Sequence, residues 1–123
     1  MQKVFLIVSG ISGALSVAIG AFGAHGLKAF LEANNRLETF ETAVKYQFYH
    51  TFALMFVGLL MSQFATKSLQ LAGGFFIIGI LIFSGSLYLL CAIGIKWLGA
   101  ITPIGGLFLI AGWLMLAFAL LKS

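Results

Sequence analysis

The chain has 123 residues, 62% of them apolar and 8% charged, with a formal net charge of +4. A soluble domain carries roughly 45–50% apolar and about 25% charged residues, so this composition excludes a water-soluble globule and makes lipid the natural solvent. The single cysteine, Cys91, excludes a disulfide framework and a cysteine-rich metal site. No basic cluster could track phosphates, so the positive charge points to anionic lipid headgroups and not to nucleic acid.

Four runs lack charged residues: 4–27, 46–66, 68–95 and 97–121. Each exceeds the ~20 residues that cross a hydrocarbon core about 30 Å thick. Backbone groups in lipid must be satisfied within their own segment, and none of the runs alternates as a strand would, so all four read as helices. The expected fold is all-α: a four-helix transmembrane bundle with an amphipathic interfacial helix between spans one and two. The spans fall near 4–24, 48–65, 70–93 and 100–121, in a single integral membrane domain covering 1–123. The first run is too long to be read as a cleaved signal sequence.

Span one carries small residues at Ser9, Gly13, Ser16 and Gly20, in steps of four, three and four that keep them on one helix face. Span three has Gly79 between Ala72 and Ser86, and span four has Gly105 and Gly112 before Ala119, in each case seven apart. Small faces let helix backbones approach, a main source of adhesion inside lipid. These residues are expected at packing seams within the bundle.

The segment 27–45 differs. It holds all three acidic residues, Glu32, Glu38 and Glu41, together with Lys28, Arg36 and Lys45. Asn34 and Asn35 divide it, since asparagine favours turns and caps. Beyond them, Leu37, Phe40, Val44 and Phe48 recur at helical spacing and lead straight into span two. Lys28, Glu41 and Lys45 are expected at the water boundary, as is Lys96, which stands beside Trp97 in the next loop of the same side. Four spans put both termini on one side. Lysine and arginine are balanced across the membrane, so the sequence does not orient the protein.

No acidic residue falls within a span, which argues against a proton-coupled exchanger. No phosphate loop, zinc-protease helix or nucleophile elbow is present, and no catalytic residue is assigned. The remaining polar groups gather near one expected membrane face: His25 at the end of span one, Tyr46, Gln47, Tyr49 and His50 at the start of span two, and Tyr88 late in span three. They read as an interfacial aromatic belt, or as a pocket for an amphiphile. A third reading is a metal or haem held between His25 and His50.

Two stretches carry a resemblance. Gly20-Ala21-Phe22-Gly23-Ala24-His25-Gly26-Leu27-Lys28, followed by Phe40-Glu41-Thr42-Ala43-Val44-Lys45-Tyr46-Gln47-Phe48-Tyr49-His50, is similar to the YgdD/YwdK family of small bacterial membrane proteins of unknown function. The likeness covers length, spans and both motifs in order. It implies a multi-pass protein of the bacterial cytoplasmic membrane, and it singles out His25, Lys28, Glu41, Tyr46 and His50 as family positions without supplying a substrate.

The expected role is a non-enzymatic accessory or amphiphile- and lipid-binding protein, acting as a homo-oligomer or as a subunit of a membrane complex. The rivals are a small oligomeric channel or carrier, and a haem- or metal-binding redox protein using His25 and His50. No cofactor is assigned.

Overall fold

The computed structural model describes residues 1–122. It contains five helices: α1 (Gln2–Ala24), α2 (Lys28–Ala33), α3 (Leu37–Leu60), α4 (Lys67–Ile93) and α5 (Leu98–Lys122). Among the described residues there is no strand. Three helices, α1, α4 and α5, are long and apolar enough to cross a membrane. α3 has the length, 24 residues, but Glu38, Glu41 and Lys45 in its first half, joined by Gln47 and His50, make it less apolar.

The ends of the helices follow local chemistry. Asn34 and Asn35 separate α2 from α3, and Asn35 takes a left-handed φ of 54°, which asparagine tolerates better than most residues. The Asn34 side chain donates to the Phe30 carbonyl at 2.8 Å, closing α2. Thr66 caps α4 by accepting from the Leu69 amide at 3.3 Å. Gly94 ends the same helix at φ 71°, a left-handed position suited to glycine.

Neighbouring long helices run antiparallel. Gln2 Nε2 donates to the Gly58 carbonyl at 2.9 Å, fixing the start of α1 beside the end of α3. Gly79 faces Leu109 and Gly112 faces Phe76, which sets the register of α4 against α5. The principal packing runs α1–α3–α4–α5, so α3 and α4 are the inner helices, and the start of α1 and the end of α5 lie at one end of the bundle. The main core is built from Phe5, Leu54, Val57, Leu69 and Phe76, all fully buried. A second cluster, Leu31, Phe40 and Cys91, lies at the opposite end and holds α2 down on the bundle. Facing outward, Ile11, Phe22, Leu81, Leu107 and Leu114 are each more than half exposed, a disposition that water would oppose and lipid accepts.

The small residues divide into tight and roomy positions. A Cβ at Gly105 would overlap the backbone nitrogen of Phe83, and one at Gly73 would enter the Phe5 ring. At Gly79 it would lie 2.5 Å from Leu109, and at Gly112 2.7 Å from Phe76. Ser9 and Ser16 are buried on the same face of α1, each returning its hydroxyl to the carbonyl four residues back. Gly13 is different: a Cβ there would meet its nearest neighbour, Thr51, at an ordinary 3.8 Å, so a methyl fits without a shift. Gly58 and Gly73, absent from the sequence-based seams, belong to the tight class.

Candidate functional site

Two features stand out: a cleft at the α2 end, and a polar network across the middle of the bundle. The cleft, about 420 Å³, opens between the last turns of α1 and the first turns of α3. Gly20, Gly23 and Ala24 supply its α1 side, so that wall is nearly bare backbone. Leu37, Phe40 and Val44 form the apolar wall of α3. The Phe40 ring occupies the space a side chain at Gly23 would take, and Val44 stands 3.3 Å from the Cβ position of Gly20. Glycine at these two positions is therefore what lets α1 and α3 close together beside the opening.

Charge is confined to three residues. Lys28 begins α2 at the mouth, and Glu41 and Lys45 line the α3 side. Glu41 and Lys45 have the spacing of a helical ion pair, yet no ion pair joins them or Lys28 among the described residues. An exposed pair gains only about 0–1 kcal/mol, too little to hold two long side chains together. Lys96, the fourth boundary charge, stands exposed near the same end and takes no part in the cleft.

The polar network begins at Gln47, which is 5% exposed. Its Nε2 donates to the Ser12 carbonyl at 3.1 Å and to Ser12 Oγ at 3.3 Å. Its Oε1 accepts from Tyr88 Oη at 2.5 Å. Thr51 Oγ1 donates to the Gln47 carbonyl at 2.6 Å. That uses the only hydroxyl proton of Thr51, so Ser12 is the donor in the 2.6 Å contact between the two hydroxyls. Ser84 Oγ adds a link from α4 to the Ala43 carbonyl at 2.7 Å. Three helices are thus tied at mid-depth by groups that satisfy one another, as buried polar groups must be.

His50, one turn further along α3, faces α4 and α5. Its Nδ1 pairs with the Tyr46 carbonyl at 2.7 Å, and its ring is surrounded by those of Tyr46, Phe76 and Trp113, with centroids 5.8–6.0 Å away. Tyr46 stacks on Phe83 at 4.6 Å. Tyr49 is exposed and touches this group only through Tyr46.

This arrangement corrects the expected single polar face. Ser12 bonds to Thr51, so His50 is level with Gly13, halfway along α1. His25 caps the end of α1, twelve residues further on. At ~1.5 Å per residue the two histidines are about 18 Å apart along the axis. They cannot share a metal or a haem, and His25 is exposed at the bundle end. Among the described residues no three His, Cys, Asp or Glu side chains converge. The proposed ligand group therefore separates into Gln47 with Tyr88, Tyr46 with His50 and Tyr49, and His25 alone. Sequence reading missed Ser12, Thr51 and Ser84. The steps of three and four from Ser9 to Ser12 to Ser16, and the four from Gln47 to Thr51, were the available signal.

Residues 19–106 match the family described as protein of unknown function, DUF423. The chain is 44% identical to a UPF0382 membrane protein of Staphylococcus haemolyticus over 121 residues, covering 98% of both chains. It is 41% identical to the UPF0382 membrane protein YwdK of Bacillus subtilis over 122 residues, again 98% of each. A UPF0382 membrane protein of Haemophilus influenzae is 41% identical over 123 residues, all of this chain and 98% of that one. No solved structure matches.

Proposed function

The chain belongs to the DUF423 family of UPF0382 membrane proteins, and from that premise we propose that it is a four-pass protein of the cytoplasmic membrane that binds a single amphiphile in the cleft between α1 and α3, without catalysing a reaction on it. The observation that carries this reading is the origin of the cleft. Apart from Leu37, its whole lining comes from the two motif stretches, 20–28 and 40–50. An apolar trough with charge only at its mouth matches a molecule with a tail and a polar head.

The fourth span is α3. It lies between α1 and α4, and its buried polar side chains Gln47 and Thr51 are paired inside the bundle instead of facing lipid. Inner helices of a membrane bundle tolerate polar residues for that reason. Asn34→Cys and Lys122→Cys, in a Cys91→Ser background, are expected to react with an impermeant thiol reagent from opposite sides of the membrane. Reaction of both from one side rules out four spans.

The cleft is tested by filling it. Ala24 lines the trough and is exposed, so Ala24→Leu should narrow it without disturbing the core. Native mass spectrometry from mild detergent is expected to show one retained amphiphile on the wild-type protein, reduced at least several-fold in Ala24→Leu with helical content unchanged. Equal retention by both proteins removes the cleft as the site.

A further inference from the structure

Resting on the cleft reading above, we infer that the amphiphile is a membrane phospholipid with a singly anionic phosphodiester head, held at the mouth by Lys28 and Lys45. The cleft is at the end of the bundle where α2 lies across the helix tips, the level of lipid headgroups. Its two lysines and one glutamate leave one net positive charge. A monoanionic phosphodiester neutralises that charge, a zwitterionic head leaves it standing, and a doubly charged phosphomonoester meets repulsion from Glu41. Neither lysine is engaged by a partner among the described residues, so both are free to bind.

The depth of the groups suits a lipid lying along the trough. Gly23 packs on Phe40 and Gly20 on Val44, so Lys45 starts one helical turn deeper than Glu41. Side chains on a helix lean towards its N-terminus, which for α3 is the α2 end, so the Lys45 ammonium rises towards Glu41 and the mouth. Lys28 meets it from the other side. The phosphate then sits between the two ammonium groups, with Glu41 accepting from a head hydroxyl. The acyl chain runs down past Val44 over the bare α1 backbone at Gly20.

The test compares phosphatidylglycerol, phosphatidylcholine and phosphatidic acid of identical acyl chains, with glycerophosphoglycerol, itself a phosphodiester, as the tail-less head. Each is added to the detergent-purified full chain and retention is read by native mass spectrometry. Phosphatidylglycerol is expected to be retained about thirtyfold over phosphatidylcholine, since each of the two lysines near a membrane surface is worth ~1 kcal/mol. Lys28→Gln with Lys45→Gln should abolish that preference while leaving some retention of every lipid, and Glu41→Gln should raise retention of phosphatidic acid. Both lysines are exposed, and circular dichroism checks that the variants fold. Equal retention of phosphatidylglycerol and phosphatidylcholine, or a preference that survives the double substitution, overturns the headgroup assignment but leaves the cleft reading intact. Glycerophosphoglycerol matching the lipid overturns it in favour of a soluble anion.

Discussion

Gly105→Leu is expected to lower the stability of the protein in detergent more than any other single glycine replacement. The Cβ position at Gly105 falls on the backbone nitrogen and Cα of Phe83 in α4. A side-chain neighbour could rotate away, but a helix backbone cannot, so α4 and α5 must separate. Those two helices share the most extensive packing in the molecule. Overpacking a well-filled interior costs roughly 1–3 kcal/mol, and the rigid neighbour puts this site at or above the top of that range. In lipid no hydrophobic force drives the helices back together. Gly10 is the control, because nothing stands within 4 Å of its Cβ position. Thermal unfolding should show a large loss for Gly105→Leu and little or none for Gly10→Leu. Equal melting temperatures mean that α4 and α5 do not meet at Gly105.

Gln47→Leu carries the second largest expected effect. It removes the acceptor of the Tyr88 hydroxyl and the donor that reaches Ser12. The Ser12 hydroxyl keeps Thr51, and its carbonyl keeps Ser16, so the Tyr88 hydroxyl is the group left without a partner. Tyr88 is half-buried, so its stranded hydroxyl falls towards the lower end of the roughly 1–3 kcal/mol of a buried group, and paired hydrogen bonds in membrane proteins average nearer ~0.6 kcal/mol. Tyr88→Phe alone should cost less than Gln47→Leu. The double variant should be no worse than Gln47→Leu by itself, since the stranded hydroxyl is then gone. A double-mutant cycle on melting curves reads this coupling directly, and strictly additive losses mean the two side chains do not interact.

These two effects differ in how far they could be read before folding. Gly105 was legible, because a seven-residue repeat of small side chains marks one helix face. That its neighbour is backbone and not a movable side chain was not legible, since this depends on the rotation of α5 against Phe83. The closeness of the α1 seam to α3 was hidden for the same reason: Gly20 stands 3.3 Å from Val44, while Gly13 meets Thr51 at an ordinary 3.8 Å. Gln47 was noticed as one of several polar residues near His50, but its side-chain partners come from two other helices. The twelve residues between Gly13 and His25 show the limit most plainly. Both histidines are near span ends in the linear order, yet the α1–α3 register puts His50 at mid-depth and leaves His25 at the tip.

Composition and run length by themselves determined that the chain is helical and belongs in lipid, because a backbone there must bond within its own segment whatever packs beside it. The break at Asn34 and Asn35, and the charged character of the segment around it, were equally local properties. The tertiary structure alone decided depth and partnership. Antiparallel register makes Gln47 a hub, separates the two histidines and brings the two motif stretches onto one cleft. Such pairings join residues tens of positions apart, and sequence periodicity reports which face a residue occupies but not what lies opposite it.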